Sequence, residues 1–217
     1  MDSTYFLTII VGVVMGWFAF GIIYNLRRGD SLLRWMQQGL PRLGERTTFR
    51  WLGSSVAELV IAQAKRPFRR AEIMVVLAPR DVPWNWLMAH LRGRRDTLIL
   101  RLHLLNPPLL DMELADPRSW TGRTICHQLN GRNWENRIQP GELRLMAPKG
   151  LLNLAETTLG RLKEPLQRLS PRYFRLGLRK EAPQLEVHIP FPQKNGDAGE
   201  FFKVLQELGQ ACGERPT

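Results

Sequence analysis

The sequence predicts an α+β protein, with one N-terminal transmembrane helix followed by a domain in which an antiparallel sheet carries helices on one face. Three observations predict it. Tyr5 to Tyr24 (YFLTIIVGVVMGWFAFGIIY) is apolar and uncharged. Several short segments alternate apolar and polar residues with period two, as half-buried strands do. Others step their leucines at a period near 3.6, as helices do.

The Tyr5–Tyr24 run holds roughly 20 residues, enough at ~1.5 Å each to cross the hydrocarbon core of a bilayer. Tyr5 and Tyr24 stand at its two ends, where aromatic rings prefer the headgroup level. A cleaved signal peptide is the alternative, with Ala19-Phe20-Gly21 as a small-x-small site, but the leader MDST has no Lys or Arg. Arg27, Arg28, Arg34, Arg42, Arg46 and Arg50 all follow the run. The positive-inside rule therefore places the C-terminal bulk in the cytoplasm, with residues 1–4 outside, in a plasma (inner) membrane. Gly12 and Gly16 form a GxxxG pair, a spacing that lets two membrane helices approach closely. It marks a surface for homodimerisation or for docking on another membrane protein; ordinary glycine usage in spans is the alternative.

Residues 25–45 form a basic juxtamembrane segment. In Ser31 to Leu40 (SLLRWMQQGL) the apolar residues around Arg34 suggest a short helix lying on the inner leaflet. Arg27, Arg28, Arg34 and Trp35 would then contact lipid headgroups. A buried connector is the alternative. Pro41 and Gly44 break the chain before a domain spanning residues 46–212, with a tail at 213–217.

Ser55-Val56-Ala57-Glu58 reads as a capping box opening a helix with Val56, Leu59, Val60 and Ala64 on one face. Glu72 to Ala78 (EIMVVLA) reads as a central strand. Asp81 and Pro83 give helix-start chemistry, with Trp84, Leu87, Met88 and Leu91 on the apolar face and Trp84 in the core. Leu98, Leu100, Leu102 and Leu104 alternate with Ile99, Arg101 and His103, and Leu110, Met112 and Leu114 alternate with Asp111 and Glu113. Folded about Pro107 these make a hairpin with His103 opposite Asp111 and Arg101 opposite Glu113.

Leu143 to Ala147 is a further strand, followed by a helix over Leu151 to Leu169 that Pro165 should kink or break. Phe174 to Leu178 and Leu185 to Ile189 alternate as strands, with Lys180 to Pro183 turning between them. Asp197 precedes a last helix with Phe201, Val204, Leu205 and Leu208 inward. Residues 71–130 and 142–211 share one order of elements, which raises an internal duplication as two β-α-β-β-α halves of one sheet.

The net charge is +11, from 31 Lys and Arg against 20 Asp and Glu, and the pI is near 10.6. Such a surface implies an acidic partner: anionic lipid, an acidic protein or nucleic acid. Arg101, His103, Arg175, Arg179 and His188 fall on the polar faces of their strands and would make a basic binding face. Trp120, Arg123, Arg132 and Trp134 bracket a polar stretch that reads as a binding loop.

The chain has no P-loop, GxGxxG, HExxH, GxSxG or paired CxxC, so no catalytic, cofactor or metal residues are named. Cys126 and Cys212 are far apart and read as free thiols. The sequence points first to a non-catalytic, membrane-anchored interaction or accessory subunit. A membrane-tethered nucleic-acid binder is the alternative, and an enzyme with an unrecognised site the third.

Overall fold

A computed structural model describes residues 3–192 and 196–213. Residues 1–2 and 214–217, parts of the expected N-terminal stub and tail, lie outside them. Helix α1 (Ser3–Gln37) runs without interruption for 35 residues. The other helices are α2 (Pro83–Leu91), α3 (Trp120–Leu129), α4 (Leu152–Leu169) and α5 (Ala198–Gly213). Nine strands alternate with them: β1 (Thr47–Trp51), β2 (Val56–Ile61), β3 (Phe68–Val76), β4 (Thr97–Leu104), β5 (Met112–Ala115), β6 (Trp134–Gln139), β7 (Leu143–Pro148), β8 (Arg175–Leu178) and β9 (Leu185–Pro190). All nine join one antiparallel sheet in the order β1-β2-β3-β4-β9-β8-β5-β7-β6.

Alternate residues point to opposite faces of a strand, and here the apolar set faces one way. Leu98, Leu100, Leu102, Leu176, Val187 and Leu145 pack beneath α4, α5 and the C-terminal part of α1 in one continuous core. A single methylene is worth ~0.8 kcal/mol when buried, so this face supplies most of the drive to fold. Helix α3 lies on the other face, where Ile125 and Leu129 pack on Ala115 and Met146. The helices are thus not confined to one side, because the outward residues Ala115 and Met146 are apolar and need covering.

Several local expectations are overturned. Residues 55–64 contain strand β2, not a capped helix: Ala57, Leu59 and Ile61 alternate inward and pair with β3. The proposed β4–β5 hairpin does not form. β4 pairs with β3 and β9, while β5 pairs with β7 and β8, so two strands from the C-terminal part of the chain separate them. His103 therefore faces Arg70 across β3, and Asp111 instead accepts a hydrogen bond from the Lys180 amide (2.8 Å). Pro165 sits within α4 without ending it, as Leu162, Leu166 and Leu169 on either side stay buried against the core.

The two candidate halves do share the order strand, helix, strand, strand, helix within one sheet. Their pairing differs, since β8 and β9 are direct neighbours and β4 and β5 are not.

Candidate functional site

The side of α1 that enters the domain is built from one glycine, one asparagine and one tryptophan. Gly21 lies so close to the 78–82 segment that a Cβ there would collide with the Arg80 carbonyl. Trp17 Nε1 donates to that same carbonyl at 3.0 Å. Asn25, fully buried, donates through Nδ2 to the Ala78 carbonyl (3.1 Å) and accepts from Arg80 Nη1 (3.1 Å). A buried amide stays only when its hydrogen bonds are made, so Asn25 fixes the rotation of α1 on the sheet.

Asp96, just before β4, closes this junction. Its carboxylate accepts both Arg80 Nη1 (2.9 Å) and Nη2 (3.0 Å), a bidentate pair, and also the Ala78 amide (2.9 Å). Arg28 Nε lies 2.6 Å from Oδ2, a charge contact not aligned as a hydrogen bond. Arg28 therefore meets a carboxylate and the Phe191 ring (5.3 Å) rather than lipid alone.

Trp35 corrects the juxtamembrane expectation. It is buried, donates through Nε1 to the Gly196 carbonyl (2.7 Å) and packs edge-on against Phe201 at 5.5 Å. Leu32, Leu33 and Met36 are buried beside it, so residues 31–40 enter the domain core, the connector alternative. Arg27 and Arg34 are exposed.

Helix α2 has its apolar residues on the outside. Trp84 is 58% exposed, Leu87 51%, Met88 48% and Leu91 71%. Trp84 is therefore no core residue: no layer of the fold lies over this face of α2. The helix is held instead by Trp86, whose ring lies 6.2 Å from that of Trp17 on α1. At ~100° per residue Trp86 lies on the side of α2 opposite the apolar stripe, which therefore turns away from α1; the stretch from Thr4 to Phe20 is itself exposed. One helix in the described chain is long and apolar enough to cross a membrane.

Between α1, α2 and the start of β8 opens a cleft of about 650 Å³. Five arginines line it, Arg28, Arg80, Arg94, Arg95 and Arg172, against the single carboxylate of Asp96. A second, apolar cleft of about 170 Å³ between Trp17, Phe20 and Trp86 shares Tyr24, Arg80 and Trp86 with the first.

The expected basic face of the sheet carries an ion-pair network. Arg101, His103, Arg175 and His188 do share that face, but so do Glu72, Glu186 and Glu113. Arg175 donates from Nε (2.8 Å) and Nη2 (2.7 Å) to Glu113 and from Nη1 to Glu186 (3.1 Å). Arg179 adds a bond to Glu113 at 2.9 Å. Arg101 stands opposite Glu72 on one side and Glu186 on the other. Gly177, between Glu186 and Glu113 in the register, leaves room for the Glu113 carboxylate: a Cβ there would meet both oxygens at 2.9 Å.

Burial alone would raise the Glu186 pKa. The His188 hydrogen bond and the charges of Arg175, His188 and Arg101 outweigh it and hold the carboxyl at about 2. A carboxylate so held can only accept, so His188 Nε2, 2.7 Å away, carries the shared proton. Buried charges are tolerated when paired in this way; Arg70, opposite His103, and Arg144, opposite Ala115, share the face, so cations still outnumber Glu72, Glu113 and Glu186 there.

The stretch expected as a binding loop is α3, a turn and β6, with Trp120 and Arg123 exposed. Ser119 caps α3 by accepting from the Gly122 amide (3.0 Å), and Trp134 belongs to β6 and packs under α3. Trp120 lies under the Arg94 guanidinium at 5.3 Å. Arg123 bonds only local carbonyls, and Arg132 is exposed past the end of α3. A Cβ added at Gly12 or Gly16 would meet nothing within 4 Å. Cys126 and Cys212 are free thiols, and no cluster of metal-ligating residues occurs among the described residues.

The junction residues Asn25, Asp96 and Arg80 carry no motif. Asn25, a lone amide just past the apolar run, is the one signal the sequence offers. No protein-family model matches the chain, and no curated protein matches it.

Proposed function

We propose that this protein is a non-catalytic, membrane-anchored interaction subunit whose domain is held hard against the inner leaflet of the plasma membrane. The observation that carries the reading is the placement of α2. It meets α1 through Trp86 at Trp17, within the apolar run, and its stripe of Trp84, Leu87, Met88 and Leu91 is exposed on the side turned away from that contact. A short amphipathic helix with exposed tryptophan and leucine suits the boundary between headgroups and acyl chains. Exposed in water, four such side chains would be a liability; sunk in that boundary they add a second anchor.

Gly21 and Asn25 support retention of α1 over removal as a signal peptide, because both are tied into the domain. The run of cations after the apolar stretch supports a cytoplasmic domain. Gly12 and Gly16 leave a pairing surface open. At ~100° per residue they lie about 180° and 140° around α1 from the docked Gly21. A second span packing there would not collide with the domain, which suits a homodimer or a membrane-protein partner. The nucleic-acid alternative is weakened by the pairing of Arg175 and Arg179 with Glu113 and Glu186 on the sheet face.

Alkaline extraction of membranes from cells making the full-length chain tests the anchor. The chain should stay in the pellet, and a Trp84→Ser/Leu87→Ser/Leu91→Ser variant should stay there too, because α1 alone suffices. In the variant, tryptophan fluorescence should lose part of its quenching by lipids brominated near the headgroup. Release of the wild-type chain into the supernatant would overturn the reading.

A further inference from the structure

We propose that the joined clefts between α1 and α2 bind one molecule of an anionic phospholipid, its phosphate among the arginines and an acyl chain along Trp17 and Phe20. The inference rests on the membrane-anchored reading and adds the ligand. The two clefts share Tyr24, Arg80 and Trp86, so they form one groove with a charged end and an apolar end. A free anion has no use for the apolar arm, and a plain acyl chain none for the arginines. An amphiphile fits both.

The charged end carries a surplus. Asp96 is already engaged by Arg80 and Arg28. Among the described residues, Arg94, Arg95 and Arg172 have no carboxylate partner in the groove. Arg95 Nη1 donates to the carbonyls of His90 and Arg94, which holds its guanidinium at the rim (2.9 and 3.0 Å). Arg94 Nε is buried without a hydrogen-bond partner, a donor left in want of an acceptor. Guanidinium groups match phosphate oxygens two at a time, better than a lysine would.

The apolar end lies where lipid would be. Phe20 is 65% exposed on the side of α1 that leads toward its N-terminus. Trp86 closes the groove from α2. A chain descending past Trp17 and Phe20 continues along the apolar half of α1.

The test uses the full-length chain in nanodiscs of phosphatidylcholine with a minority of phosphatidylglycerol, followed by release and native mass spectrometry. The expected result is one phosphatidylglycerol retained per wild-type chain. An Arg95→Gln/Arg172→Gln variant should retain at least about tenfold less, since each lost cation weakens attraction to an anionic headgroup. An Arg69→Gln/Lys163→Gln variant, with the same charge change on exposed positions elsewhere, should retain it as the wild type does. The single variants, each expected to lower retention several-fold, keep the test decisive if the pair unfolds. Equal loss in the control variant, or no retained lipid in the wild type, would overturn the site while leaving the anchor standing. Displacement by millimolar inorganic phosphate or glycerol phosphate would overturn the lipid assignment in favour of a soluble phosphate compound. Failure of the wild type to enter nanodiscs would overturn the anchor and the site together.

Discussion

Replacing Glu113 by alanine removes the centre of the ion-pair network on the sheet. Its side chain is 2% exposed and accepts three charge-assisted hydrogen bonds, two from Arg175 and one from Arg179. Arg179 is 42% exposed and rehydrates when released, so its contribution is small. Arg175, at 11%, does not rehydrate freely and keeps only Glu186. Breaking a buried pair from one side destabilises by roughly 3–5 kcal/mol. The surviving Glu186 bond and the outward exit for Arg179 place the expected loss near the lower end, about 3 kcal/mol. For a chain of this size each kcal/mol lowers the melting temperature by ~2–4 °C, so Glu113→Ala should melt roughly 6–12 °C below the wild type. The assay is a thermal melt of the full-length protein in a mild detergent, followed by circular dichroism. Glu113→Gln should fall between, since an amide oxygen still accepts from Arg175 without its charge. A loss below about 1 kcal/mol for Glu113→Ala would refute the reasoning, because it would show the network to be as weak as a solvent-exposed one.

Three further outcomes follow from the geometry. Gly21→Val should drive its side chain into the Arg80 carbonyl, part α1 from the 78–82 segment and open that segment to limited proteolysis; wild-type resistance would refute the close approach. The Glu186 pKa is held at about 2, below its ordinary value of 4.5, so its stabilisation is fully present above about pH 4.5 and is lost as pH falls toward about 2. Melts between pH 6 and 3 should therefore slope more steeply for the wild type than for Glu186→Gln, and equal slopes would sink this assignment. Cys212, buried with its thiol pushed up to about 12 by desolvation, should resist alkylation in the folded protein at pH 8 and react on unfolding; rapid native labelling would contradict its burial.

The faces of the strands are readable from the sequence, while their neighbours are not. Alternation in Leu98 to Leu104 and in Leu110 to Leu114 sends the right residues inward, since period two reports only which side of a strand is buried. Nothing local reports that β9 and β8 insert between the two strands, because that pairing is made by residues 60 to 93 positions away. Residues 56–61 mislead for another reason. Val56, Leu59 and Val60 fit a helical face, and Ala57, Leu59 and Ile61 fit a strand face, so one short apolar run satisfies both periods. The neighbouring β3 decides between them. Arginines followed along each strand suggest a basic face, and only the register sets Glu72, Glu113 and Glu186 alongside them. The arginine groove is invisible for the same reason: Arg28, Arg94 and Arg172 come from three distant parts of the chain. Of these, Arg28 alone carries a local signal, its place after the apolar run.

Helix α1 has neither proline nor a break between its apolar half and the core residues Leu32 to Met36. Its 35 residues make a shaft about 52 Å long. With no joint along it, and with Gly21 and Asn25 keying the sheet to one side, the domain has no independent swivel. A tilt of the exposed end is therefore coupled to the domain, so a neighbour gripping only that end also biases the heading of the surfaces the domain presents.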